Sequence, residues 1–288
     1  MKNRTSTTDT TGWYTSTLRS MPADTVALVL AGGKGTRLRT GTDPELATIP
    51  KVLVPITSPH HRAPVPMLDH ALVELATAGF RRAALLTGCA PEARADDVER
   101  YAVRAFAARL QLIAHREPYP LGTAGAVYAA LAHLNAPAAV VLPADTLFPC
   151  PLLPAAVTDH LAAGAPVTWT VTTAPGPDAQ NPGRIFLGPD LRTVAHALEG
   201  VDAVLPSASR TGLARATSTG AVIITPDVYR EEFRQYAARL PQPGPCDLYR
   251  QFMPWLLSQG RTVGAFDIRE AAPDLGTPDR LAAFGRTA

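Results

Sequence analysis

Residues 25–39 read Thr-Val-Ala-Leu-Val-Leu-Ala-Gly-Gly-Lys-Gly-Thr-Arg-Leu-Arg. Val26, Leu28 and Leu30 alternate with Ala27, Val29 and Ala31, so both faces are apolar, as in a strand covered by helices on each side. The strand runs into Gly32, Gly33, Lys34, Gly35, Thr36 and Arg37. Glycines let a backbone approach a ligand closely, and Lys34, Arg37 and Arg39 add positive charge beside free amides. An apolar strand followed by a glycine-rich cationic turn is a device for holding phosphates. The spacing is not that of a P-loop, and Leu38 stands where the dinucleotide fingerprint needs glycine.

These residues need a scaffold, and the composition supplies one. The chain has 288 residues, 46% hydrophobic and 18% charged, enough for a sizeable core in one large or two small domains. Its net charge of +2 gives no reason to expect nucleic acid or an anionic membrane as partner. Cys89, Cys150 and Cys246 are far apart and lack zinc or Cys-x-x-Cys spacing, so a reducing cytoplasm is the simplest setting. No apolar run reaches membrane-spanning length, and the N-terminus lacks the apolar stretch of a signal peptide.

Residues 1–24 read as a flexible tail with Trp13 and Tyr14 as a docking point. Residues 25–288 read as one domain, with a nucleotide half over 25–150 and an acceptor half over 151–288. After residues 25–31, strands are expected at 83–87, 110–114, 138–145, 167–172 and 263–267. Helices are expected at 67–79, 91–110, 128–134, 228–240 and 247–259. Fully apolar strands alternating with helices argue an α/β fold, a Rossmann-like, doubly wound, mixed but mostly parallel sheet. Such sheets bind ligands at the carboxyl ends of strands, where Asp145 falls. The His60-His61 pair sits in a proline-rich loop and reads as solvated rather than metal-binding.

The string Leu30-Ala31-Gly32-Gly33-Lys34-Gly35-Thr36-Arg37-Leu38 resembles the signature of sugar-1-phosphate nucleotidylyltransferases, in which this loop wraps the triphosphate of an NTP. The resemblance continues over about residues 25–284. Pro50-Lys51, an apolar segment and Pro55 resemble the second signature, whose lysine neutralises phosphate charge; Val52 departs mildly from it. Glu117-Pro-Tyr-Pro120-Leu-Gly122-Thr123-Ala-Gly-Ala126 resembles the base-reading segment of mannose-1-phosphate and heptose-1-phosphate guanylyltransferases. Guanine fits physically: it offers N1–H and N2–H₂ donors, and the Glu117 carboxylate only accepts. Ala144-Asp145 resembles a Gly-Asp segment, and Asp274-Leu-Gly-Thr-Pro278 a second aspartate motif; both aspartates hold Mg²⁺ in that family. Gly183-Arg184, Glu199 and Thr219-Gly220 resemble acceptor-binding segments. The lysine that follows the glutamate in relatives is missing here, because Gly200 stands in its place. Arg184, Arg210 or Arg215 supplies that charge, or the acceptor is bound differently.

The resemblance thus implies the fold of nucleotide-diphospho-sugar transferases without a C-terminal β-helix. It implies Arg37 and Lys51 as catalytic residues and Asp145 and Asp274 as metal ligands. The reaction implied is NTP plus sugar-1-phosphate, or a cyclitol phosphate, giving NDP-sugar and pyrophosphate, with GTP favoured and Mg²⁺ as cofactor. Two readings compete: a glycosyltransferase of related fold, which lacks its usual Asp-x-Asp here, and a non-catalytic nucleotide-binding homologue. The sugar stays open, as does a homo-oligomer.

Overall fold

A computed structural model describes residues 20–39, 48–57, 63–174, 185–198, 211–240 and 244–287. Trp13, Tyr14, His60, His61, Gly183, Arg184, Glu199 and Arg210 lie outside the described residues.

The apolar runs do form strands: β1 (Val26–Leu30), β4 (Arg82–Thr87), β5 (Gln111–Arg116), β6 (Ala139–Pro143), β7 (Val167–Thr172), β10 (Ala214–Ile224) and β11 (Val263–Asp267). They lie in one sheet in the order β11-β7-β10-β6-β1-β4-β5. β1 pairs in parallel with β4 on one side and β6 on the other, and β5 extends β4 in parallel. Only β10 reverses on this path, antiparallel to both β6 and β7. Short strands β8 (Ile185–Leu187) and β9 (Val194–Ala197) continue from β10, and β2 (Pro55–Ile56) pairs with β3 (Val65–Pro66). The fold is α/β with a mixed, mostly parallel, doubly wound sheet.

Alternation along the strands divides the core. Val26 and Leu28 face one side with Val141, Trp169 and Val222; Ala27 and Val29 face the other with Leu85, Val140 and Ile223. The first side is covered by α4 (Gly122–Leu131), α6 (Pro226–Ala237) and α7 (Met253–Ser258). The second is covered by α2 (Met67–Thr77), α3 (Ala95–Phe106) and α5 (Leu153–Ala163). Aromatic residues Tyr229, Phe233, Tyr236, Phe252 and Trp255 pack together on the first side, each fully buried ring adding about 1.5–3 kcal/mol. On the second side, His160 of α5 is buried between Thr168 (2.8 Å) and Thr225 (3.1 Å), tying α5 to the sheet.

Two expected helices differ. Residues 91–110 split, because Arg94 takes φ 47° between a short turn and α3, with its guanidinium on Asp97. The segment over 247–259 opens as a π-helical turn, Leu248–Phe252, before α7. Pro254 lacks the N–H that would close an ordinary helical bond there. The N-terminal helix α1 (Thr36–Arg39) and C-terminal helix α8 (Pro278–Thr287) complete the set used below.

Candidate active site

β1 lies where the chain reverses direction across the sheet, first toward β4 and β5, then back to β6. That switch point opens a crevice at the strands' carboxyl ends. The glycine loop leaves β1 there. Ala31 N–H donates to Leu86 O at 2.8 Å, and Ala144 N–H to Leu30 O at 3.1 Å. The loop and the Asp145 turn are thereby fixed side by side. The glycines of the loop divide the work: a Cβ on Gly32 would meet the Gly88 backbone at 2.5 Å, whereas one on Gly33 would meet nothing. Gly32 therefore serves strand packing, and Gly33 faces open space. Thr36 is exposed at the start of α1, and Leu38 turns inward to anchor that helix.

Lys51 opens a short 3-10 turn, with Val52 buried against the second core face. The residue that departs from the family pattern is thus a packing residue. Lys51 Nζ donates to Asp145 Oδ2. Asp145 does not end a strand, as its sequence position suggests, but lies two residues beyond β6 in a turn. Asp274 differs more: it lies seven residues after β11, in an isolated antiparallel bridge with Thr146. Leu147 N–H to Pro273 O and Leu275 N–H to Asp145 O, both 2.9 Å, knit the two aspartate segments together.

The result is a convergence of charges. A Cβ on Gly276 would lie 2.7 Å from Asp274 Oδ1, 3.0 Å from Lys51 Nζ and 3.2 Å from Asp145 Oδ2. Beneath it sits a small apolar cluster of Leu38, Val54, Ile56, Met67, Leu147 and Leu275, flanked by Leu281 and Phe284. Each chemical segment thus carries an apolar neighbour that nails it to one platform. Arg280 Nη1 donates to the second Asp274 oxygen. Sequence reasoning missed Arg280 and Gly276. The Thr277-Pro278 helix start was the available signal, since it puts Arg280 in the first turn of α8.

Glu117 is half-buried beyond β5; burial raises its pKa, and a 3.4 Å bond from Leu121 N–H opposes the rise. Pro120 is exposed in the same turn. Gly122 takes φ +70°, and a Cβ there would meet Cys246 O at 2.4 Å. Thr123 Oγ1 accepts Leu248 N–H at 2.7 Å. Gly122 and Thr123 thus pack against the 246–248 segment, which holds the turn in place. Tyr229 donates to Ala124 O at 3.0 Å beneath it.

On the acceptor side, Thr219 needs correction. Its side chain is buried and its hydroxyl bonds Thr170 Oγ1 (2.6 Å) and Thr170 O (2.9 Å), so the side chain packs the sheet. Gly220 sits at an irregularity of β10, with Thr146 Oγ1 3.2 Å from where its Cβ would stand. Its carbonyl accepts from Tyr249, whose phenol pKa is pushed far up by burial, with Asp247 and Asp145 adding to the rise. Arg215 lies exposed on β10 opposite Phe186.

The fold is shared with HddC of Yersinia pseudotuberculosis, solved also with GMP-PN, at 18% identity over 91% of this chain and 98% of that one, TM-score 0.65. The inositol-1-phosphate CTP transferase of T. maritima aligns at 17% identity over 92% and 95%, TM-score 0.66. A UDP-glucose pyrophosphorylase solved with UDP-glucose aligns at 17% over 91% and 97%, TM-score 0.63. No curated protein matches the chain in sequence. The profile of the MobA-like NTP transferase domain matches residues 27–208, more than half of the chain, and the chain belongs to that family.

Proposed function

We propose that the protein is a sugar-1-phosphate nucleotidylyltransferase that joins an NTP, GTP by preference, to a sugar or cyclitol phosphate and releases pyrophosphate. The observation that carries this reading is the meeting of Lys51, Asp145 and Asp274 around Gly276 at the switch point. The acceptor phosphate is already an anionic nucleophile, so no general base is needed. Its oxygen forms a bond to the α-phosphorus while the bond from that phosphorus to the bridging oxygen of pyrophosphate breaks. Charge repulsion is the obstacle, so the chain must position and neutralise both phosphates.

The loop amides over Gly32–Thr36, with Leu30 and Ala31 beneath, hold the triphosphate. Arg37 and Lys51 offset its charge. Asp145 and Asp274 suit Mg²⁺, a hard ion that takes one or two carboxylates and completes its shell with substrate oxygens. Among the described residues no group of three or more His, Cys, Asp or Glu gathers. Mg²⁺ bound there supplies Lewis-acid neutralisation of phosphate oxygens. Lys51 and Arg280 now stand against those carboxylates, as cations do where negative charge is concentrated.

Glu117 reads guanine by accepting from N1–H and N2–H₂. Pro120, Gly122, Thr123 and Ala144 shape that end, and Gly183, Arg184, Glu199 and Gly220 the acceptor end. The three cysteines are unpaired, which suits a reducing cytoplasm. Among the described residues no helix is long and apolar enough to cross a membrane. The test is a thermal-shift panel of GTP, ATP, dTTP, UTP and CTP with Mg²⁺. GTP should raise Tm most; a clear preference for another base overturns the Glu117 assignment.

A further inference from the structure

Four charges meet at this site, and one of them has no assigned task. Lys51 pairs with Asp145, and Arg280 pairs with Asp274. The obvious task for Arg280 is to hold Asp274 in place, but Asp274 is held without it. Its Oδ1 accepts Gly276 N–H at 2.7 Å, and its backbone is bridged to Thr146. The adjoining bonds from Leu147 to Pro273 and from Leu275 to Asp145 fix the segment on both sides. Arg280 is itself well based. Its N–H reaches Thr277 Oγ1 at 3.4 Å, and Leu281 and Phe284 of the same helix pack on the apolar platform with Leu38 of α1.

The two cations differ in access. The Lys51 side chain is 13% exposed and that of Arg280 34%, so the guanidinium is the more accessible of the two cations. A guanidinium offers five donors in a planar fork suited to phosphate. A substrate phosphate entering the site carries more negative charge than the single Asp274 oxygen and competes with it for the guanidinium. Meanwhile Gly200 leaves the acceptor half without its expected lysine.

We propose that Arg280 is a phosphate-binding residue of this site. Its guanidinium exchanges Asp274 for a phosphoryl oxygen of a bound substrate. This rests on the nucleotidyltransferase reading above. The phosphate belongs either to the acceptor or to the triphosphate, and both present the same oxygens.

The test compares Arg280→Ala and Arg280→Lys with wild type, after thermal denaturation has verified each fold. Calorimetric titration with inorganic pyrophosphate, free of divalent metal, reads phosphate binding directly. Affinity should fall about 10- to 100-fold in the alanine variant and recover in part in the lysine variant. In steady-state assays the KM of one substrate should rise by a similar factor, and which one rises tells whose phosphate Arg280 holds. The Mg²⁺ concentration for half-activity should stay unchanged. Wild-type pyrophosphate affinity and KM values in an active alanine variant overturn the proposal. So does an effect confined to the Mg²⁺ requirement, which would make Arg280 a positioning residue for Asp274. The charge-balanced double variant Asp274→Asn with Arg280→Gln should bind pyrophosphate as weakly as Arg280→Ala. Restored affinity there reduces Arg280 to a counter-charge and overturns the proposal as well. Wild-type protein that neither binds nor releases pyrophosphate refutes the underlying reading and takes this one with it.

Discussion

Gly276→Ala is the sharpest perturbation of the site, because it adds one methyl group where three charges meet. That methyl would sit 2.7 Å from Asp274 Oδ1, 3.0 Å from Lys51 Nζ and 3.2 Å from Asp145 Oδ2. Carbon–oxygen contacts relax at about 3.3 Å, so the Asp274 oxygen must retreat by about 0.6 Å and the other two groups by less. A misplacement of about 1 Å in a positioning group costs on the order of 100-fold in rate, so a loss of about 10- to 100-fold is expected, chiefly in kcat. The fold should tolerate the change. Gly276 is not among the positive-φ glycines, and the atoms it crowds are ends of side chains, with that of Asp274 46% exposed. The stability cost should stay within about 1 kcal/mol, or about 2–4 °C in Tm. Pyrophosphate release with saturating substrates measures the first quantity and thermal denaturation the second. Unchanged kcat would show that the three charges do not act together. A Tm loss much beyond the expected few degrees would show that Gly276 serves the fold instead.

Gly122→Ala combines a left-handed φ with a collision against the Cys246 backbone, and should destabilise by about 2–4 kcal/mol in urea unfolding; near-wild-type stability contradicts the close approach. Glu117→Gln keeps the size but loses the charged acceptor, so GTP affinity should fall about 10-fold or more relative to other NTPs; unaltered selectivity removes Glu117 from base recognition. Burial lowers the His160 pKa from 6.5 to about 4, so the folded state stays unprotonated at a pH where an unfolded histidine takes a proton. Its contribution is fully present above pH about 6.5 and is lost as pH falls toward 4, amounting to about 3 kcal/mol, and His160→Gln should flatten that part of the stability profile.

Much of the fold was legible because strand burial writes itself into consecutive apolar residues. Strands β7 and β11 have the expected bounds, and β1 lies within the apolar run that defined it. What misled was local backbone chemistry. The pattern over 91–110 keeps helical periodicity through Arg94, whose positive φ no hydrophobic spacing encodes. Asp274 follows an apolar strand in sequence, yet it reaches the site through a bridge to Thr146, a pairing set by topology. Thr219 illustrates the reverse error. A hydroxyl in a motif reads as a ligand contact, but β-strand alternation turns it into the sheet against Thr170. Lys51 and Asp145 were each nominated by a motif, yet their pairing joins residues 94 positions apart. Arg280 belonged to no nominated motif and is found only through its contact with Asp274.

Pyrophosphate release is the most direct test of the central claim. Purified protein with Mg²⁺ is assayed against a matrix of NTPs and sugar-1-phosphates, with the nucleotide product identified by mass. One pair, with GTP as donor, should yield pyrophosphate and NDP-sugar in equal amounts, and turnover should be lost in Asp145→Asn. Nucleotide binding without pyrophosphate release from any pair, or undiminished turnover in Asp145→Asn, would contradict that claim.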